Sequence, residues 1–275
     1  MNVVWSTLII IAAVTVAVTA ILVVRRRAPD GGFFHDGDRA AGMFGVLATG
    51  FALLLGLIVV LAFTSYDESR SGAETEALLV NQQFETAQFM AAPASTSLGD
   101  QLMCYARSVV HQEWPRMEDG SLGDALNPWG IEMFDSLRTV DPESASGEAA
   151  YSKWLDQTSD REAARNDRIH GAVGVIPGPL WLVLLLIAGV ILVFMMFFAD
   201  SGERAVVQGI QVGAVVAVIT ATLLLIVFLD SPYRPGFGGL RPVAMERALR
   251  ILEEERAAVG SSAPLPCDEQ GVATP

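Results

Sequence analysis

Cysteine is nearly absent from this chain of 275 residues, with Cys104 and Cys267 the only two, and histidine is limited to His35, His111 and His170. Neither set has the close spacing that holds zinc, so no metal centre is expected. Glycine-rich phosphate loops and Ser-His-Asp arrangements are missing as well, and no cofactor motif stands in their place. His111 and Glu113, beside Trp114, are the one tempting acid–base pair. Residues i and i+2 do not face each other on a helix, so both are read as structural or surface groups. The net charge of −13 gives no reason to expect a nucleic-acid partner. An enzyme is not expected.

Charge itself is missing from four long stretches, residues 1–24, 40–66, 171–199 and 205–229. With no ionisable side chain inside them, a proton relay within a membrane has no candidates. What they contain instead is apolar length. A hydrocarbon layer of roughly 30 Å is crossed by about 20 apolar helical residues, and backbone in lipid must satisfy its own hydrogen bonds, which makes such runs helices. The first run differs from a secretory signal, because its basic residues, Arg25, Arg26 and Arg27, follow it. It is read as a retained anchor.

These runs predict an all-α integral membrane protein with four transmembrane helices in two pairs and a helical soluble domain between helices 2 and 3. The expected divisions are residues 1–66 for the first pair, 67–170 for the soluble domain, 171–229 for the second pair and 230–275 for a tail. Residues 67–168 hold 19 acids and 8 bases, so most of the acidity sits in the inserted domain. The short loops carry Arg25–Arg27, Arg39 and Arg204, and short basic loops favour the cytoplasm. That places the acidic domain and both termini outside. Arg161, Arg165 and Arg168 before the third run, and Arg234 and Arg241 after the fourth, count against it. An outside location would permit a Cys104–Cys267 disulfide; two unrelated thiols are the alternative.

Within the soluble segment, Leu98, Leu102, Tyr105 and Val109 share a helical face, with Pro93 and Pro115 as breaks on either side. Val80, Phe84, Ala87 and Ala91 form a second stripe, and a helix from about Glu148 to Ile169 should bury Tyr151, Trp154 and Leu155. In the tail a short helix puts Met245, Leu249 and Leu252 on one face, and residues beyond Ala257 read as a flexible end rich in Ser, Pro and Gly. Gly209 and Gly213 have the small-xxx-small spacing of close helix packing. Asp200 and Glu203 have the spacing of a capping box.

One string is more specific: Tyr105-Ala106-Arg107, Val109-Val110 and Glu113-Trp114-Pro115-x-Met117. Around it stand His35-Asp36, Tyr66-Asp67-Glu68 with Ala73 and Glu76, and Asp230-x-Pro232-Tyr233. With the order of the four runs, this pattern resembles the bacterial bestrophin-like membrane family. The resemblance implies kinship to bestrophins, which are pentameric and mostly anion-conducting, with a pore lined by the second transmembrane helix. On that basis Phe51, Leu55 and Ile58, which share a helical face, become candidates for a dewetting constriction. Asp67 and Glu68 become a cation-attracting entrance. The reading is thus a homo-oligomeric ion channel whose acidic domain favours cations, with lipid and inorganic ions as partners. The alternative is a membrane-anchored sensor or scaffold whose acidic domain binds a partner or divalent cations.

Overall fold

A computed structural model of the protein describes residues 3–120, 127–142, 144–260 and 263–274. The described residues are overwhelmingly helical, with nine α-helices and one π-helical turn among them. Four of the helices are long and apolar enough to cross a membrane: α1 (Val3–Arg25), α2 (Gly37–Ala87), α7 (Gly178–Met196) and α8 (Ala205–Leu229). The chain divides into two compact units, one formed by Met1–Ser65, Gly174–Asp230 and Gly236–Gly238, the other by the remainder.

The first unit holds α1, the apolar part of α2, α7 and α8. Its side chains meet along two seams. Phe51, Leu55 and Ile58 of α2 pack with Leu184, Ala188 and Ile191 of α7 and Ile226 of α8. Ala17 and Ile21 of α1 pack with Val212 and Val216 of α8. The second seam depends on glycine. A Cβ at Gly213 would already touch Val14 and Val18 at 3.4 Å, and one at Gly209 would touch Val18 at 3.5 Å. Alanine therefore fits at both positions, whereas Gly209→Leu with Gly213→Leu should push α1 off α8. The expected cost is about 1–3 kcal/mol for each overpacked site, read as a lower melting temperature in detergent while the alanine pair stays near wild type.

The two short loops of this unit are tied together. Arg25 donates to the carbonyl oxygens of Ser201, at 2.9 Å, and of Glu203. Asp200 accepts from the N–H groups of Gly31 at 3.0 Å and Gly202 at 2.8 Å. Asp200 and Glu203 do not form the capping box that their spacing suggests, because α8 starts later, at Ala205, and Asp200 is engaged across the loops. At the other end of the unit, Asp230 accepts from the N–H groups of Val175 and Ile176, at 2.7 and 2.9 Å, just ahead of α7.

The second unit begins inside α2, which continues without a break through Ala87. It adds α3 (Ala94–Ser108), a π-turn (Val109–Glu113), α4 (Trp114–Glu118), α5 (Pro128–Leu137), α6 (Ala145–His170) and α9 (Val243–Ala258). Val80, Phe84, Leu98, Leu102, Tyr105, Val109 and Trp154 meet in one core, with Met245, Ala248 and Leu252 of α9 against them. Tyr151 is only half-buried and Leu155 is exposed, since the inward face of α6 runs through Trp154, Gln157 and Arg161 instead. Gly72 lets α2 lie directly on α6: a Cβ there would fall 2.6 Å from both the Ala164 carbonyl oxygen and the Arg168 nitrogen.

Pro115 does not end the α3 helix as its sequence suggests. Pro lacks the N–H that would bond four residues back, and the helix accommodates this by widening, with the Trp114 N–H reaching the Val109 carbonyl. The chain continues into α4, where a proline in the first turn is tolerated.

Of the end beyond Ala257, for which the sequence predicts looseness, residues 261, 262 and 275 lie outside the described residues, and the segment 263–274 is held in place. Cys267 is bonded to Cys104, with Cα atoms 5.8 Å apart. Trp129 Nε1 donates to the Gly271 carbonyl at 2.7 Å, and Gln112 to the Gln270 carbonyl at 2.9 Å. Gly271 has a φ of +76°, and its Cα sits so close to the Ser108 backbone that a side chain has no room. Composition alone predicts flexibility here; tertiary bonds override it.

Candidate functional site

The sequence places three arginines on α6 at i, i+4 and i+7, and helical geometry puts Arg161, Arg165 and Arg168 on one face. That face looks inward. Arg168 is fully buried, and Arg161 and Arg165 nearly so. Burying a guanidinium is tolerable only when carboxylates and hydrogen bonds replace its water.

Arg168 has both. Its Nε donates to Glu76 Oε2, and its Nη2 donates to Glu76 Oε1 at 3.0 Å and Glu113 Oε2 at 2.6 Å. Its Nη1 lies 3.4 Å from the Met117 sulfur. Arg165 Nη2 donates to the other Glu113 oxygen at 3.0 Å, and so does Asn127 Nδ2 at 2.9 Å. Tyr105 donates to Glu76 at 2.6 Å, while Tyr233 donates to the Arg168 carbonyl. The Arg161 guanidinium stands 4.7 Å over the Tyr105 ring and donates to Gln83 at 2.8 Å. Trp114 covers Arg168 at 5.8 Å and meets Tyr233 edge to face.

Each element brings its residue for a local reason. Glu76 lies one turn before Val80 on the buried face of α2, and the extra residue of the π-turn brings Glu113 and Trp114 inward together. Asn127 caps α5 by accepting from the Trp129 N–H at 3.1 Å, which leaves its amide free to donate to Glu113.

Burial alone would raise the Glu113 carboxyl, but the guanidinium groups of Arg168 and Arg165 outweigh it and hold the group below its ordinary range. For Arg168, burial works against the charge, and Glu76 and Glu113 more than compensate. Burial, with Glu76 beside it, pushes the Tyr105 hydroxyl well up. Glu113 and Arg168 are therefore both charged at neutral pH, while Trp114 Nε1 and Arg161 Nε are buried without a hydrogen-bond partner. The cavity beside it, bounded by Glu76, Trp114, Arg168 and Met245, measures about 10 Å³. That is at most the space of a single water. With no room for a reacting molecule, the chemistry that remains is structural: the cluster clamps α2, the π-turn, α6 and the segment around Tyr233. No metal-binding group of His, Cys, Asp or Glu occurs among the described residues.

The residues singled out in the sequence fall elsewhere. Phe51, Leu55 and Ile58 are 4, 8 and 2% exposed, covered by α7 and α8 of their own chain. Asp67 and Glu68 are exposed on α2 just beyond its apolar part. Gly209 and Gly213 line the α1–α8 seam. Cys104 lies in the core of the second unit, joined to Cys267. His111 is exposed, whereas Glu113 is central to the cluster. The three α6 arginines, read from sequence only as membrane-flanking charges, are the cluster residues that reading missed. Their i, i+4, i+7 spacing in register with Trp154 was the available signal.

The fold and this cluster define a helical membrane-protein architecture with a clamped companion unit. Residues 11–238 match the bestrophin-like domain, and the chain belongs to that family. The backbone agrees with crystal structures of a bacterial bestrophin homolog from Klebsiella pneumoniae determined as point variants. One aligns with a TM-score of 0.69 at 14% identity, covering 90% of this chain and 99% of that one. Another aligns with a TM-score of 0.68 at 12% identity, covering 92% and 99%. Comparison with curated proteins finds no match. Part of the pattern by which the sequence resembles the family lies in the cluster: Glu76, Glu113, Trp114, Met117 and Tyr233 contact Arg168, and Tyr105 bonds Glu76.

Proposed function

We propose that the protein is a homo-oligomeric ion channel, pentameric by analogy with bestrophins, whose conduction path runs along α2. The observation that carries this reading is a stripe of α2 that its own chain leaves uncovered. Gly42, Val46, Thr49, Leu53, Gly56, Val60 and Phe63 are all exposed and recur at alternating spacings of four and three, continuing to Asp67. In a membrane such a face is covered by lipid or by another copy, and its seven-residue period and its continuation to Asp67, beyond the apolar part, favour the copy. Leu53, Val60 and Phe63 then supply the dewetting constriction in place of Phe51, Leu55 and Ile58. Asp67 and Glu68 follow on the same helix and favour cations by their field.

The orientation proposed is the one with the short loops in the cytoplasm and the second unit outside. Arg25–Arg27 support it. The Cys104–Cys267 bond supports it too, because disulfides persist in oxidising compartments. The opposing arginines weigh less than their number, since Arg165 and Arg168 are neutralised internally by Glu113 and Glu76.

Reconstitution in planar bilayers tests the channel. Phe63→Ala and Val60→Ser should raise conductance, whereas Phe51→Ala should chiefly lower the melting temperature. Asp67→Asn with Glu68→Gln should reduce cation preference, and less so in high salt, where screening shortens the reach of the field. A pure oligomer that passes no current in wild type or any variant, at either voltage sign, would leave the scaffold as the better reading.

A further inference from the structure

On an acidic chain, one groove is basic. It runs between α2 and α9 in the second unit, with a cavity of about 640 Å³. Small residues line it from both helices, Ala73 and Ala77 from α2 and Ala244 and Ala248 from α9, with Leu78, Trp114, Leu240 and Ile251 beside them. Each alanine pair is spaced i, i+4, so each helix lets another surface approach its backbone over one turn. Arg70, Arg241 and Arg247 border it. Arg70 is paired with Glu74 at 3.1 Å. Arg241 and Arg247 are exposed and join no ion pair among the described residues.

A matching ridge exists on the same chain. The face of α6 opposite its arginines is uncovered along its length: Ala149, Ser152, Asp156, Ser159, Ala163 and Asn166 are exposed at alternating spacings of three and four. These side chains are small, so another helix surface can approach the backbone closely. Asp156, Asp160 and Asp167 lie on or beside the stripe, exposed, with no ion pair among the described residues.

We infer that the arginine-bordered α2–α9 groove of one copy receives the acidic outer face of α6 from the next copy. Groove and ridge are different surfaces of one chain, so the contact is heterologous and repeats around a ring. A membrane holds all copies in the same sense, which favours closure about an axis along its normal. The charges are complementary in sign, and burying Asp156 or Asp160 beside Arg247 leaves neither unpaired. This inference rests on the oligomeric reading above and assigns its interface.

Native mass measurement in detergent, at fixed protein concentration, tests it. Arg241→Glu with Arg247→Glu should lower the oligomer fraction at least ten-fold, and Asp156→Arg with Asp160→Arg should do the same. All four substitutions in one chain should restore the oligomer, which also shows that the separate losses do not come from misfolding. Oligomers unaffected by either pair, or no recovery in the four-fold variant, would overturn the interface while leaving the oligomer standing. A groove variant that keeps its subunit number but loses co-purifying anionic lipid would assign the groove to a lipid headgroup and overturn it equally. A monomeric wild type would remove the oligomeric reading itself.

Discussion

Arg168→Leu is expected to destabilise the protein by about 3–5 kcal/mol, the cost of removing one partner from a buried charge network. Glu76 and Glu113 would be left with their charges buried, and the Glu76 carboxylate would keep only Tyr105 as a hydrogen-bond donor among the contacts described above. Thermal melting in detergent measures the effect. Arg138→Leu, which breaks an exposed pair with Asp135 at 3.8 Å, should be nearly silent. Arg168→Lys should lie between wild type and leucine, because an ammonium cannot serve two carboxylates as a planar fork does. If leucine melts like wild type, the clamp contributes nothing net.

The same cluster fixes a pH dependence. Glu113 has a folded pKa depressed below its ordinary 4.5. Its contribution is therefore complete above about that pH and is lost as pH falls through the folded value. Melting temperature should decline below this point, and Glu113→Gln should start lower at neutral pH and decline less.

Breaking the Cys104–Cys267 bond is the second large effect. The two residues are 163 apart in sequence, so the link restrains a long loop in the unfolded chain. Replacing both by alanine should cost about 2–5 kcal/mol. The bond also holds a strap attached by the packing of Leu265 and by hydrogen bonds from Trp129 and Gln112 to the Gly271 and Gln270 carbonyls, from Arg107 to the Asp268 carbonyl at 3.1 Å and from Arg256 to the Ala263 carbonyl. Reductant should lower the melting temperature of wild type and leave the alanine pair unchanged. A wild type shown by mass to be reduced, yet melting at its oxidised temperature, would refute the estimate.

The apolar helices were legible because length and missing charge are sufficient evidence in lipid, and the chain needs no partner to declare them. The stripe Val80, Phe84, Ala87 was legible by period, although its fourth member, Ala91, is exposed beyond the end of α2 at Ala87. The ion cluster was not, because a charge on a helix face reads as solvent-exposed until its partners are known. Glu76 and Arg168 are 92 residues apart, and nothing local links them. That α7 and α8 cover Phe51, Leu55 and Ile58 was illegible for a different reason. Period shows that they share a face, but inside a membrane an apolar face says nothing of whether lipid, a pore or another helix covers it. Pro115 was overread as a stop, since a helix can widen into a π-turn instead of ending.

The second unit is discontinuous in sequence, and that has a bearing on biosynthesis. Its core needs Tyr66–Val173 and also residues after Asp230, and the hairpin of α7 and α8 is made between the two. Translation therefore delivers α3, α5 and α6 well before α9 exists, so Leu102 and Tyr105 wait for Met245 and Leu252 to cover them. A ribosome-bound chain in which only one of α7 and α8 crossed would hold α9 across the bilayer from α3 and leave Cys104 without Cys267 to pair with.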